Sequence, residues 1–341
     1  VQALRESVKN LNLCSATPIS PVYFRPTAAQ IFVQHRSLDA RSFAAFARAE
    51  SDMILNLQKL VAGTLVTASA VAHAAPPATV VSSSNGRRIV SLQPSLTEIV
   101  CALDACKDLV GVDRYSNWPN TVQALPRVGS LSDAQVELIV ALKPDLVLMR
   151  PRNRAVDRLQ ALGVPVLTVD ATSHGELRAQ LEVVAKELGR PGAGIALWEQ
   201  IQKRVNAVRA RVPAHWVGKK VYMEVHGGHA AASESSFIGE TLSQLGLKNV
   251  VPGDLGLFPK LGPEFALRAN PDVLISTDAY ATPAVAGRPG WSQMPAVKKG
   301  HVCRISAERF DVIARPGPRI DEAAEEILNC LLEIDRRNAR R

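Results

Sequence analysis

Residues 224–229 read EVHGGH, which sets a carboxylate and two imidazoles, Glu224, His226 and His229, within six positions. Neutral imidazole is a common transition-metal ligand, so His226 and His229 are candidate metal contacts, with Glu224 beside them. A glycine-rich loop with half-exposed histidines fits the same string. His-Gly-Gly after a strand also suits an esterase oxyanion loop, but that needs a G-x-S-x-G elbow, and the chain has none. Arg150, Arg152 and Arg154 alternate just past the apolar run 146–149, and Arg309, Phe310 and Arg315 follow a second strand pattern. Guanidinium groups at strand C-terminal ends can grip carboxylate or catecholate oxygens, which suits an anionic ligand; a solvated charged loop is the plainer account. No P-loop, H-E-x-x-H or nucleophile–base set is present, so these residues point to binding rather than to a reaction.

The elements that position these residues announce themselves by a repeat. Residues 137–149 (ELIVALKPDLVLM) and 264–276 (EFALRANPDVLIS) share one plan: a Glu, a helix-compatible apolar turn and a half, a Pro seven positions on, an Asp, and a short apolar run. The residue before proline avoids the helical region, so each helix ends at Pro144 or Pro271. A continuous apolar run of strand length then suits a strand buried on both faces of a parallel sheet. Two such units about 127 residues apart look like matching pieces of two similar lobes.

Around the repeat the pattern alternates strand and helix. Strands are expected at 87–92, 109–112, 146–149, 217–225, 249–251 and within 301–305. The string PSLTE (94–98) carries helix-start chemistry, with capping hydroxyls and an early acid. Residues 176–188 and 195–212 have long helical periodicity, broken at Gly189-Arg190-Pro191-Gly192. A terminal helix over 319–337 spaces Ile320, Ala323, Ala324, Ile327 and Leu331 on one face.

With 341 residues, 47% hydrophobic and 21% charged, the chain has the profile of a globular protein of two ordinary domains. Its net charge is +8, without a Lys/Arg block, and aromatics stand at 5%, which argues against nucleic acid as a partner. Residues 53–74 have the anatomy of a signal peptide: Lys59, an apolar core of about a dozen residues, and small residues around a cleavage point after Ala74. That core is shorter than the roughly 20 residues of a membrane span, so the protein is not expected to be membrane-embedded. Residues 1–52 are then an upstream or disordered extension, and 75–86 a Pro/Ser-rich spacer. The five cysteines include no C-x-x-C. Cys101 with Cys106, and Cys303 with Cys330, could oxidise in an exported protein or remain buried thiols.

Taken in order, RIVSLQPSLTE (88–98), LVGVDRYSNWP (109–119), LPRVGS (125–130), VALKPDLVLM (140–149), LQALGVPVLTVDATS (159–173), SFIGETLSQLGLKNVV (236–251), PAVKKGHV (295–302) and RPGPRIDEAA (315–324) span residues 87–338. Each is ordinary α/β punctuation; together they resemble the periplasmic binding proteins that serve ABC importers of cobalamin, ferric siderophores and haem. The first lobe is most similar to the cobalamin-binding member.

The resemblance implies an α/β fold of two Rossmann-like lobes, 87–173 and 214–341, joined by a long rigid helical connector over 174–213. A metal chelate would lie in the cleft between the lobes, with no resident cofactor. The protein would act as a monomer in the periplasm, delivering its ligand to a permease dimer and its ATPase. Family members carry one exposed Glu on each lobe that meets an Arg cluster of the permease, and here those positions are Glu137 and Glu264. As plain helix-start acids, the same residues would interact only with the helix dipole. Tyr115 matches an aromatic that faces the ligand. Two further aromatic platforms fall at Leu131 and Arg150, departures that remove stacking surface and count against cobalamin itself. Two lobes with a basic cleft would also describe a nucleotide-sugar transferase, and a permease-independent periplasmic metal chaperone is a third reading.

Overall fold

A computed structural model describes residues 86–225, 230–277 and 285–340. The expected extension, signal peptide and most of the spacer lie outside the described residues, as do His226 and His229.

Strands β1 (Ile89–Ser91), β2 (Leu109–Val112), β3 (Leu146–Met149) and β4 (Val166–Thr168) form one parallel sheet in the order β2-β1-β3-β4. In the second sheet, β7 (Lys248–Asn249), β5 (Lys220–Val225), β8 (Val273–Thr277) and β9 (Val302–Ile305) adjoin in the equivalent parallel order. A two-residue strand, β6 (Ala230–Ala231), adds an antiparallel pairing to the far end of β5. The second copy of the repeat thus occupies the topological post of the first: β3 and β8 each lie between the opening strand and the last one.

Continuous apolar runs are required because both faces of each sheet are covered. Alternate residues of β3 go to different cores. Leu146 and Leu148 join a large cluster, while Val147 and Met149 pack with Val90, Val136, Ile139 and Leu159. In β8, Val273 and Ile275 enter that same large cluster, and Leu274 turns the other way to Tyr222, Ala266 and Trp291.

Helices fill the layer common to both sheets. α1 (Pro94–Ala102), α2 (Val136–Ala141) and α3 (Ala155–Ala161) belong to the first β–α series, and α4 (His174–Glu187) and α5 (Ala193–Arg209) follow. Helices α6 (Phe237–Gln244), α7 (Pro263–Ala269), α8 (Pro295–Lys298), α9 (Ala307–Ala314) and α10 (Ile320–Ala339) complete the described set. α5 has 17 residues, and α10, with 20, is longer. The break ahead of α5 comes where Gly189 and Gly192 take φ values of 74° and 85°, a region open to glycine. α4 then packs against α5 so closely that a Cβ on Gly194 would stand 2.4 Å from the Leu181 carbonyl oxygen. Leu181 and Val184 of α4, Ile201 and Val205 of α5, and Ile327 and Leu331 of α10 all belong to the cluster that holds Ile89 and Ile275. One core therefore runs from the first sheet to the second. Arg204–Asp321 (2.6 Å) and Arg211–Glu325 (2.7 Å) edge the α5–α10 packing.

Both cysteine pairs are bonded. Cys101–Cys106 closes the end of α1, and Cys303–Cys330 ties β9 to α10. The expected capping hydroxyls of α1 do not cap it. Gln93 is the N-cap and makes no side-chain cap bond, and Thr97 Oγ1 turns to Ser91 Oγ (2.9 Å) instead. Pro94 removes one of the N–H groups that a cap would satisfy, so the helix starts without that help.

Candidate functional site

The loops that leave the C-terminal ends of the first sheet's strands gather into one edge. Asp113, just after β2, is fixed first: its carboxylate accepts from Tyr115 N (2.8 Å) and from the Ser116 hydroxyl. Thr97 Oγ1 and Ser116 Oγ are 2.8 Å apart, which joins α1 to this loop. Arg127 donates to the Ser116 carbonyl at 2.6 Å. Burial raises the Asp113 carboxyl above its ordinary range, against the bonds from Ser116 and Tyr115. This framework leaves the Tyr115 side chain outside, 60% exposed at the rim.

Beside it, Asn153 Nδ2 donates to the Leu131 carbonyl (2.9 Å) and holds the loop after β3 against the loop at 129–135. Tyr115, Leu131 (38% exposed), Arg150 and Arg152 thus belong to loops at one end of one sheet. Arg150 is engaged there by Asp170, just past β4, through Nε (2.9 Å) and Nη2 (2.6 Å). Arg152 is exposed, with φ 65°, and makes no ion pair among the described residues.

From the second sheet, the segment after β9 and α9 reaches this edge through Arg315. Its Nη1 donates to Glu98 Oε1 (3.1 Å) and Asn117 Oδ1 (2.7 Å), and its Nη2 to Asp311 Oδ2 (2.5 Å) and the Tyr115 carbonyl (3.4 Å). Arg319 adds a second cation 3.6 Å from Glu98 Oε1, and its guanidinium stacks 4.6 Å from the Trp118 ring. Glu98 is 2% exposed, and burial raises its pKa even against these two arginines. The segment fits because residue 317 is glycine: a Cβ there would lie 3.3 Å from Glu98 Oε2. A segment of the second sheet's half thus bonds through Arg315 to the backbone of Tyr115, whose side chain stays exposed.

Other residues singled out by the sequence are used elsewhere. Phe310 is 9% exposed inside the shared core, so it offers no cleft surface. Arg309, its neighbour on α9, turns to an ion pair with Glu326 of α10. Glu224 is buried at the end of β5 and is consumed by Arg288, whose Nη2 lies 3.0 Å from Oε2 and whose guanidinium sits 4.6 Å over Trp291. A buried carboxylate held this way anchors the chain around residue 288 rather than a ligand. Among the described residues no group of three His, Cys, Asp or Glu side chains is arranged to hold a metal ion.

Glu137 and Glu264 lie on α2 and α7, each the second residue of its helix and each exposed. Arg158 of α3 donates to Glu137 at 2.9 Å. The Glu137 carboxyl is lowered from its usual range by the helix-start N–H and by Arg158.

Sequence reasoning passed over Asp113, Asn117, Asp311 and Arg319, and took Glu98 for a helix-start acid.

Residues 89–308 match the family model described as periplasmic binding protein. An uncharacterized ABC transporter substrate-binding lipoprotein of Bacillus subtilis strain 168, YvrC, is 31% identical over 251 residues, covering 71% of this chain and 78% of its own. The vitamin B12-binding protein of Yersinia pestis strain Pestoides F is 28% identical over 257 residues, 72% of this chain and 87% of its own. The solved structure of a possible iron-binding periplasmic solute-binding protein from Staphylococcus epidermidis ATCC 12228 superposes with a TM-score of 0.64 at 27% identity, over 73% of this chain and 99% of that one. These are solute-binding proteins and not enzymes, which sets aside the transferase reading. No described helix is long and apolar enough to cross a membrane. On its sequence, sheet order and relatives, the chain belongs to the periplasmic binding protein family.

Proposed function

We propose that this protein captures a metal chelate, a corrinoid, ferric siderophore or haem-like molecule, in the cleft between its two sheets and delivers it to an ABC importer. The observation that carries the reading is the contact set of Arg315, which brings a segment of the second sheet's half onto the β2 loop of the first beside an exposed Tyr115. Ligands of open α/β sheets bind outside the carboxyl ends of the strands, where both elements stand. Arg150 and Arg315 are engaged by Asp170 and Glu98, so among the described arginines of the β3 loop Arg152 and Arg154, both exposed, are open to an anionic group on the ligand. The relatives named for vitamin B12 and iron supply the ligand class.

In this reading Glu137 and Glu264, equivalent posts on two copies of one unit, meet cationic side chains of the permease dimer. Two disulfides among the described residues support an oxidising, extracytoplasmic location, reached through the signal peptide at 53–74 with cleavage after Ala74. The protein works there as a monomer. The test is to purify the mature chain from its native periplasm and record its absorption spectrum and metal content. Cyanocobalamin, haemin and ferric enterobactin are then titrated against tryptophan fluorescence. A bound chromophore, or saturable quenching by one compound, is the expected result; a clean protein indifferent to all three would sink the chelate reading.

A further inference from the structure

We infer that Arg158 is a built-in competitor for Glu137, so that the two halves offer the importer unequal docking charges; this rests on the docking reading above. Glu137 and Glu264 stand at the same position of equivalent helices, yet their surroundings differ. Arg158 on α3 holds Glu137 Oε1 at 2.9 Å, with the two side chains 64% and 79% exposed. Glu264 makes no ion pair with any described residue. Its Oε2 instead lies 2.7 Å from where a Cβ on Gly262 would stand, folded over the start of its own helix.

A cation that approaches α2 therefore meets a pair that is already neutral, and it must share or displace Arg158. A cation that approaches α7 meets an uncompensated carboxylate. The partner that fits is a surface offering one arginine to each half, since a planar guanidinium can take a carboxylate through two parallel bonds. Exposed pairs such as Glu137–Arg158 are weak, so Arg158 attenuates docking at the first half without blocking it. Its removal is expected to tighten docking about two- to fivefold.

The experiment uses the full-length mature protein and its own permease–ATPase complex in lipid nanodiscs, with dissociation constants read by biolayer interferometry at low salt. Arg158→Ala and Arg158→Gln are expected to bind about two- to fivefold more tightly, and the gain should vanish in the Arg158→Ala/Glu137→Ala double variant. Equal or weaker binding by both Arg158 variants overturns the inference, the weaker result marking Arg158 as a direct contact. If Glu137→Ala and Glu264→Ala both dock like wild type, the docking reading itself has failed and the inference falls with it. Because all three side chains are exposed, thermal melts should match wild type throughout.

Discussion

Asp145 and Asp272 do the same work in the two halves. Asp145 accepts from Arg88 N through Oδ2 at 2.7 Å and returns its own N–H to the Arg88 carbonyl at 2.8 Å. Asp272 repeats both bonds with Lys220, each at 2.8 Å. The Pro-Asp step thus fastens the end of one helix to the start of the neighbouring strand, at Arg88 just before β1 and at Lys220, the first residue of β5. Loss of either carboxylate removes one charge-assisted bond at a partly wet site. Asp145→Ala and Asp272→Ala are each expected to lower stability by about 1–2 kcal/mol, read as a shift of the urea midpoint without a change in slope. Unequal costs would show that the two turns are not equivalent in energy.

The residue before each proline is in the left-handed region, Lys143 at φ 46° and Asn270 at φ 45°. Asparagine tolerates that region better than lysine does. Lys143→Asn, which copies the second half into the first, is expected to raise stability by about 0.5 kcal/mol, measured as a higher melting temperature.

His174 begins α4 with its ring between Trp198 and Phe237, and its Nε2 lies 3.0 Å from Thr241 Oγ1. Burial lowers its pKa from 6.5 to about 4. The unfolded chain therefore takes up this proton first as pH falls, so the contribution is full above pH 6.5 and is lost between there and about pH 4. The loss attributable to this one group is up to about 3 kcal/mol. Subtracting the urea stability of His174→Phe from that of wild type at pH 7.5 and 4.5 isolates it. A difference that does not change with pH would show that His174 titrates normally.

Glu98 carries two arginines whose side chains are 13% and 14% exposed. Glu98→Ala takes one partner from each, while Arg315 keeps Asp311 and Asn117 and Arg319 keeps Glu322; it is expected to cost about 1–3 kcal/mol. Glu98→Gln should cost less, because it keeps an acceptor for Arg315 and gives up a charge that burial already disfavours. Chemical denaturation ranks the two; the reverse order would mean that charge, not the acceptor, holds Arg315.

Much of the fold was legible because burial on two faces leaves a plain mark. The strands at 109–112 and 146–149 match the apolar runs residue for residue, and the repeat pointed to the equivalence of β3 and β8. β6 left no mark, since two alanines carry neither period nor propensity. The shared core left none either: an apolar stripe on α5 says that a face is covered, not that both sheets lie beneath it. At the site, Arg315 was singled out from its place past a strand end, and Tyr115 from the family resemblance. Arg309 and Phe310 were grouped with them although helical phase separates them: Phe310 and Ile313 form the buried face of α9. Glu98 was out of reach because its partner Arg315 is 217 residues away in sequence.

The layer common to both sheets has a consequence for ancestry. If the two halves descend from one duplicated unit, the face now filled by α4, α5 and α10 would have been bare on a lone copy. Such a copy would have needed a cover for that face, and pairing with a second copy, later fused, would supply one. Substitutions on the inner faces have since been answerable to both halves at once. The outer clusters around Ile139 and Trp291 answer to one half each, and they are where the two copies have been free to become different.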